Sequence, residues 1–212
     1  MNNFVESAGE RYEKELVGFN FVKSHSRLIK PTIDGWLGIA LFVNQTSSQP
    51  IRRLEACGHI RLESIEKIYA PHQIYLQPKD AKHHQTLTVN CMKFLKNKSL
   101  LFGFDIGVEK SFTTCVDAYL LELKESIIPW LEKHSTEQAV FEGLIDKDPM
   151  KWITSDRLTR YPVLMAILAK RGDWNVFDNI AAEFLDYCRK PHARVYQPLA
   201  ESMLNIRQLK QS

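Results

Sequence analysis

An α+β fold follows from a change of hydrophobic period partway along this 212-residue chain. Up to about residue 110 apolar residues tend to alternate, as strands require. Beyond Ser111 they recur every three to four residues, as helices require. A first stripe of the helical kind (Phe4, Val5, Ala8, Tyr12, Leu16) precedes the alternating region. The expected architecture is an N-terminal helix, a mostly antiparallel sheet of about five strands, and a C-terminal helical layer. Residues 1–110 supply helix and sheet, and 111–212 supply a helical region packed on the sheet, the whole forming one compact domain.

Each element has its own signal. Gly18 closes the first helix, because a residue without Cβ tolerates the left-handed cap. Phe19 to Ile29 is apolar and β-branched enough for one strand, with Pro31 stopping it and Ile33-Asp34-Gly35 turning the chain. Trp36 to Asn44 is nearly continuously apolar, which predicts a central strand buried on both faces. Residues 51–62, IRRLEACGHIRL, alternate most clearly. Leu54, Ala56, Gly58, Ile60 and Leu62 share one side, and Arg53, Glu55, Cys57, His59 and Arg61 share the other. Ser64 is the expected cap of a short helix to Tyr69, residues 73–77 a short edge strand before Pro78, Thr86 to Cys91 a strand, and Leu100 to Val108 the last strand.

In the helical part, Phe112 to Ile127 reads as one helix broken by Pro129. Ser135 to Gln138 caps a helix running to Leu144. Tyr161 to Lys170 is a buried helix with Pro162 near its start, Trp174 to Arg189 is strongly amphipathic, and Val195 to Leu209 is the last helix.

Composition excludes more than it identifies. With 44% apolar and 25% charged residues and a formal charge of +3, the chain is ordinary globular material and no obvious polyanion binder. The charge is unevenly spread. Residues 1–100 are basic, whereas 105–142 carry Asp105, Glu109, Asp117, Glu122, Glu125, Glu132, Glu137 and Glu142. Such regions either attract each other or orient a partner. The N-terminal residues lack an apolar leader core, and no apolar run reaches the ~18 residues of a membrane span. The four cysteines show no CxxC spacing and read as reduced thiols, three of them packed as small apolar groups. The expected location is the cytoplasm.

Catalytic signatures are missing: no GxSxG, HExxH, Walker loop or GxGxxG occurs. Cys57 and His59 point the same way on their strand, but a metal needs three or four ligands, and only the loop residues His83 and His84 are offered in addition. No metal or cofactor is expected. Arg52, Arg53, Arg61, Lys93, Lys96 and Lys98, with Phe94 and Tyr75, are basic and aromatic residues of the sheet region. They lack the patterned signature of a nucleic-acid module, so nucleic acid is not the expected partner. Trp36, Trp130 and Trp174 read as core residues; Trp152 reads as a core residue too or, if exposed, as the tryptophan to anchor a partner.

The succession of a helix, Leu16-x-Gly18-Phe19, Phe21, the strand of Trp36, Ile39 and Leu41, and Gly58-His59-Ile60-Arg61-Leu62 resembles a bacterial family of uncharacterised α+β proteins. Its members look like immunity proteins encoded beside secreted toxins. The resemblance covers about a quarter of the chain, and no functional residue transfers with it. It implies a non-catalytic protein-binding module that occludes a cognate toxin or effector. The expected contact residues are Arg53, Glu55, His59 and Arg61 on the polar strand face, Glu122, Glu125 and Glu132 in the acidic stretch, and Trp152. The alternatives are a small enzyme or nucleic-acid-binding protein with an unrecognised site, in which Cys57, His59 and an acid would converge, and an adaptor that docks its partner on the C-terminal helices.

Overall fold

The strand predicted from Ile51 is the longest described one, β4 (Ile51–Leu62). The computed structural model describes residues 2–45, 51–73, 76–77, 83–91, 94–98, 100, 103–105, 108–146, 148, 153–154 and 156–211. The fold is α+β, with an N-terminal helix, an antiparallel sheet and C-terminal helices. The chain forms two compact units, residues 1–60 with 88–135, and residues 61–87 with 136–212.

The first unit holds most of the sheet. Helix α1 (Asn2–Glu15) packs on β1 (Asn20–Val22), β2 (Arg27–Thr32) and β3 (Gly35–Gln45). Its apolar stripe drives this packing: Ala8 and Tyr12 are fully buried, and the Tyr12 hydroxyl donates to the Val116 carbonyl at 3.1 Å. The strand order is β1-β2-β3-β4-β5, with β5 at Leu87–Asn90. A sixth short strand, β6 (Phe104–Asp105), pairs with the start of β4. The expected strand 100–108 is thus seen only at these two residues, part of it lying outside the described residues.

Several sequence expectations change here. Phe19 to Ile29 is not one strand. The chain reverses at a short 3-10 turn, with Ser26 left-handed at φ 49°, and β1 pairs back on β2 from Asn20↔Ile29 to Val22↔Arg27. Pro31 does not stop β2, which runs to Thr32. β1 pairs only as far as Ile29, so beyond it one side of β2 is an edge where a residue without N–H is tolerated. β3 is central as expected, yet only its Leu37, Ile39, Leu41 and Val43 face is fully buried. Trp36, Ala40 and Phe42 on the other face are half-buried. Trp130 and Trp174 are half-buried too, not core residues.

Helix α3 (Glu109–Glu122) packs Phe112 against Phe4 and Phe104, each with ring centroids 5.0 Å away. Pro129 does not end the helical path. A single π-turn, Leu123–Ile127, leads directly into α4 (Ile128–Lys133). Proline offers no N–H to the carbonyl four residues back, and widening the turn is one way to accommodate that loss.

The second unit takes the end of β4 and then α2 (Glu63–Tyr69), whose N-cap is Leu62, not Ser64. Of the expected strand at 73–77, the described residues Gln73, Leu76 and Gln77 are not extended in a sheet. Helix α5 (Glu137–Ile145) starts on Thr136, whose hydroxyl accepts from the Ala139 N–H at 3.2 Å. Helix α6 (Arg157–Arg171) begins four residues earlier than its apolar pattern, because Asp156 caps it. It is buried from Arg160 to Ala169 and packs against α2, α5 and α7 (Trp174–Cys188). Gly172, at φ 73°, closes α6, Asp173 caps α7, and α8 (Gln197–Gln211) packs on α7 and α6.

Candidate functional site

The polar side of β4 is largely not a surface. Alternation holds through Gly58, but His59 and Arg61 are 5% and 6% exposed. Glu55 keeps its carboxylate 2.7 Å from Arg53 Nε and is mostly covered. His59 Nδ1 lies 3.1 Å from the Thr88 hydroxyl on β5. Burial, helped by the Arg27 charge, pushes its pKa down to about 3, so the ring is neutral in the fold. Cys57 is half-buried, and burial raises its thiol above the usual range. Cys91, Cys115 and Cys188 are buried, as expected for packed thiols, and Cys115 is pushed up to about 11. Among the described residues no group of three His, Cys, Asp or Glu side chains is placed to hold a metal ion.

Arg61 belongs to a polar cluster in the second unit. Its guanidinium donates to Glu63 at 2.5 and 3.1 Å and to the His84 carbonyl at 2.5 Å, and lies 3.7 Å from Glu66. Glu66, itself 2% exposed, also accepts from the Thr86 hydroxyl at 2.8 Å and meets His84 Nδ1 at 2.8 Å. Thr86 in turn accepts from the Leu62 N–H at 2.9 Å. Buried charges persist only when paired and hydrogen-bonded, and here both are. The cluster ties the 84–86 segment to α2 and the end of β4. His84 is the residue the sequence offered as a metal ligand, and it is held instead by a carboxylate.

The acidic stretch divides in two. Glu122 is buried, and its carboxylate accepts from the Lys96 and Asn97 N–H groups at 2.9 and 2.7 Å. Glu125 and Glu132 are exposed along one side and reach basic residues of the same unit, Lys96 at 3.6 Å and Lys30 at 2.6 Å. With Arg11–Asp117 at 3.3 Å, these contacts show the two charged regions pairing within the first unit. Trp152 lies outside the described residues, as do Tyr75 and Lys93. Phe94 is half-buried and meets the Trp130 ring in a tilted contact at 5.0 Å.

Among the described residues of the first unit, two depressions can be compared. The larger, 510 Å³, includes Asn97, Lys110, Ser111, Thr114 and Cys115 in its lining. Ser111 Oγ accepts from the Asp105 N–H, and burial pushes the Cys115 thiol up to about 11. The smaller, 310 Å³, has Leu16, Val17, Phe19 and Ile128 as its apolar lining. Its rim is two ion pairs, Lys30–Glu132 at 2.6 Å and Lys124–Glu15 at 3.0 Å. Lys124 donates to Glu15 and holds that carboxyl below its usual range.

Each part of this cleft has a local cause. Val17 follows the last turn of α1 and stands 93% exposed, because Gly18 at φ 80° turns the chain away just after it. Lys124 lies within the π-turn and Ile128 follows it directly, and this turn re-aims side chains that a regular α-helix would place differently. Lys30 crosses from β2 and also covers the Phe19 ring at 5.8 Å. An apolar floor inside a ring of paired long side chains is suited to receiving one apolar anchor of a protein partner. Of the residues expected to meet a partner, the cleft contains Glu132. Sequence reasoning did not single out Val17, Lys30 or Lys124. The signal for Val17 was a hydrophobic residue sitting one position before a helix-ending glycine.

No family model, curated protein or solved structure matches this chain. Among the described residues no helix is long and apolar enough to cross a membrane.

Proposed function

We propose that this chain is a non-catalytic protein-binding module, a bacterial immunity protein that neutralises a cognate toxin in the cytoplasm by occluding its site. The observation that carries the binding role is the cleft around Val17: an almost fully exposed aliphatic side chain on an apolar floor, framed by Lys30–Glu132 and Lys124–Glu15. Isolated exposed valines are common, but one lining a depression framed by ion pairs has the layout of a contact that receives a partner's apolar anchor. The toxin as partner comes from the sequence resemblance alone.

The test is protection of cells that express the toxin encoded by the neighbouring gene. The unaltered protein is expected to protect. Val17→Asp combined with Glu132→Lys is expected to weaken toxin binding by about 30-fold or more, the ~2 kcal/mol of an interface anchor, while the fold is kept. Undiminished affinity in the double variant would remove the cleft from the interface. Failure of the unaltered protein to protect would end the immunity reading.

A further inference from the structure

The 510 Å³ space in the first unit lies between α3 and the segment that leads into β6. Its size is ordinary for a small-molecule site. The two walls are tied at both ends. At one end the buried Glu122, the last residue of α3, accepts from the Lys96 and Asn97 N–H groups. At the other the Ser111 hydroxyl accepts from the Asp105 N–H. Gly103 is also pressed against β4, where a Cβ would stand 2.0 Å from the Arg52 carbonyl oxygen. Between these ties the side chains turned to the space are short. Helix α3 offers Ser111, Thr114, Cys115 and Ala118, which recur every three to four residues along one stripe, and Gly103 offers none. The ends are fixed and the middle is under-filled, so the space cannot close without breaking the Glu122 or Ser111 bonds. Its chemistry is simple. Among the described lining residues Lys110 carries the single charge, and none is a carboxylate or an aromatic ring. Exposed lysines are common. Here, however, neither the Lys110 ammonium nor the Thr114 hydroxyl has a partner among the described residues, and the Ser111 hydroxyl, already an acceptor, keeps its own proton to donate. Leu100 and Ala118 supply an apolar remainder.

We propose that this cavity binds a small aliphatic carboxylate, with its charge at Lys110 and the Ser111 and Thr114 hydroxyls and its chain against Leu100 and Ala118. One cation with neighbouring hydroxyl donors matches a single negative charge. A phosphate ester or nucleotide carries more charge than one lysine offsets, and a base would find no ring to stack on. A metal ion would find no carboxylate, and the thiol of Cys115 is held protonated by burial. The apolar remainder suits an alkyl chain, for which short side chains leave room. This site is separate from the Val17 cleft and from the immunity reading, and either can fail without the other.

Amide shifts in nitrogen–proton correlation NMR spectra of the full-length protein test it, with hexanoate, hexanol and inorganic phosphate as probes. Hexanoate is expected to shift the Lys110, Ser111, Thr114 and Ala118 amides saturably, with an affinity of about 1 mM for a ligand this small. Lys110→Gln is expected to weaken it about fivefold, and hexanol, the same chain without the charge, to bind the unaltered protein more weakly by a similar factor. Lys14→Gln, on α1 and outside the lining, is expected to change nothing. Ala118→Leu fills the space and is expected to abolish binding. If that variant lowers the melting temperature, Thr114→Val, at an exposed position, gives the same reading with a loss of about twofold. No saturable shift by about 20 mM hexanoate, equal affinities for hexanoate and hexanol, an equal loss in Lys14→Gln, undiminished affinity in Lys110→Gln, or tighter binding of phosphate than of hexanoate would overturn the proposal.

Discussion

Acidification from pH 7 to pH 5 is expected to weaken this fold through His59 in particular. The ring is 5% exposed, bonds to the Thr88 hydroxyl and senses the Arg27 charge. In the unfolded chain a histidine takes its proton near pH 6.5, whereas in the fold His59 does so only at about 3. Between those values the unfolded state binds the extra proton. The stability contributed by the neutral ring is therefore present above pH 6.5 and is lost progressively as pH falls toward 3. From pH 7 to pH 5 the loss is about 2 kcal/mol, which at a urea slope of about 2 kcal/mol per molar moves the unfolding midpoint by about 1 M. The comparison is with His59→Gln, which keeps a hydrogen-bonding side chain but cannot titrate. Urea unfolding of both proteins at both pH values separates this residue from His72 and His134, which burial also pushes down and which are common to both. If the two proteins lose stability in parallel, His59 is solvated or protonated in the fold and the burial described for the polar side of β4 is wrong.

The remaining expectations concern packing and pairing. Glu66→Ala leaves the Arg61 guanidinium buried with a reduced set of partners, and a loss of about 3 kcal/mol in urea unfolding is expected; a loss below about 1 kcal/mol would mean that water reaches the cluster. Gly103→Ala is expected to cost more than about 1 kcal/mol, because the residue sits at φ 83° and a Cβ there would stand 2.0 Å from the Arg52 carbonyl oxygen. A thermal scan that shows no change would refute the close approach of Gly103 to the Arg52 carbonyl. Alkylation at pH 8 is expected to reach Cys57 first and Cys91, Cys115 and Cys188 only on unfolding, as read by mass spectrometry of digests, since burial raises all four thiols and covers three.

The fold was legible where a local pattern determines it. Alternation along Ile51–Leu62, the stripe of α1 and the amphipathic run of α7 each name their own buried face. The hairpin of β1 and β2 was not legible, because the chain reverses at Ser24-His25-Ser26 with no glycine, proline or asparagine, and Ser26 itself takes the left-handed conformation. Pro129 misled for a related reason: a proline announces a missing hydrogen bond, but not whether the chain ends its helix or widens it. The polar side of β4 illustrates a deeper limit. Arg61 and His59 read as solvent-facing by residue type, and their burial depends on Thr86 and Thr88, more than twenty residues away, and on Glu66, which a change from strand to helix separates from them. Of the site, the charge attraction between the basic and acidic regions was visible in outline, and Glu132 was named. The cleft was not visible, since it is assembled from the end of a helix, the middle of a strand and a π-turn.

Both units are assembled from two separated stretches of chain. Neither can close until translation has passed residue 135 for one and has reached α8 for the other, so the growing polypeptide carries unfinished cores for most of its synthesis. No single cut yields a whole half. Removal of residues 146–212, the direct way to ask whether the last helices hold a partner, would strip α2 of the α6 surface it packs on and leave the Arg61–Glu66 pair beside it without that support. Lost binding after such a truncation would report collapse, and questions about docking on this protein belong to point substitutions.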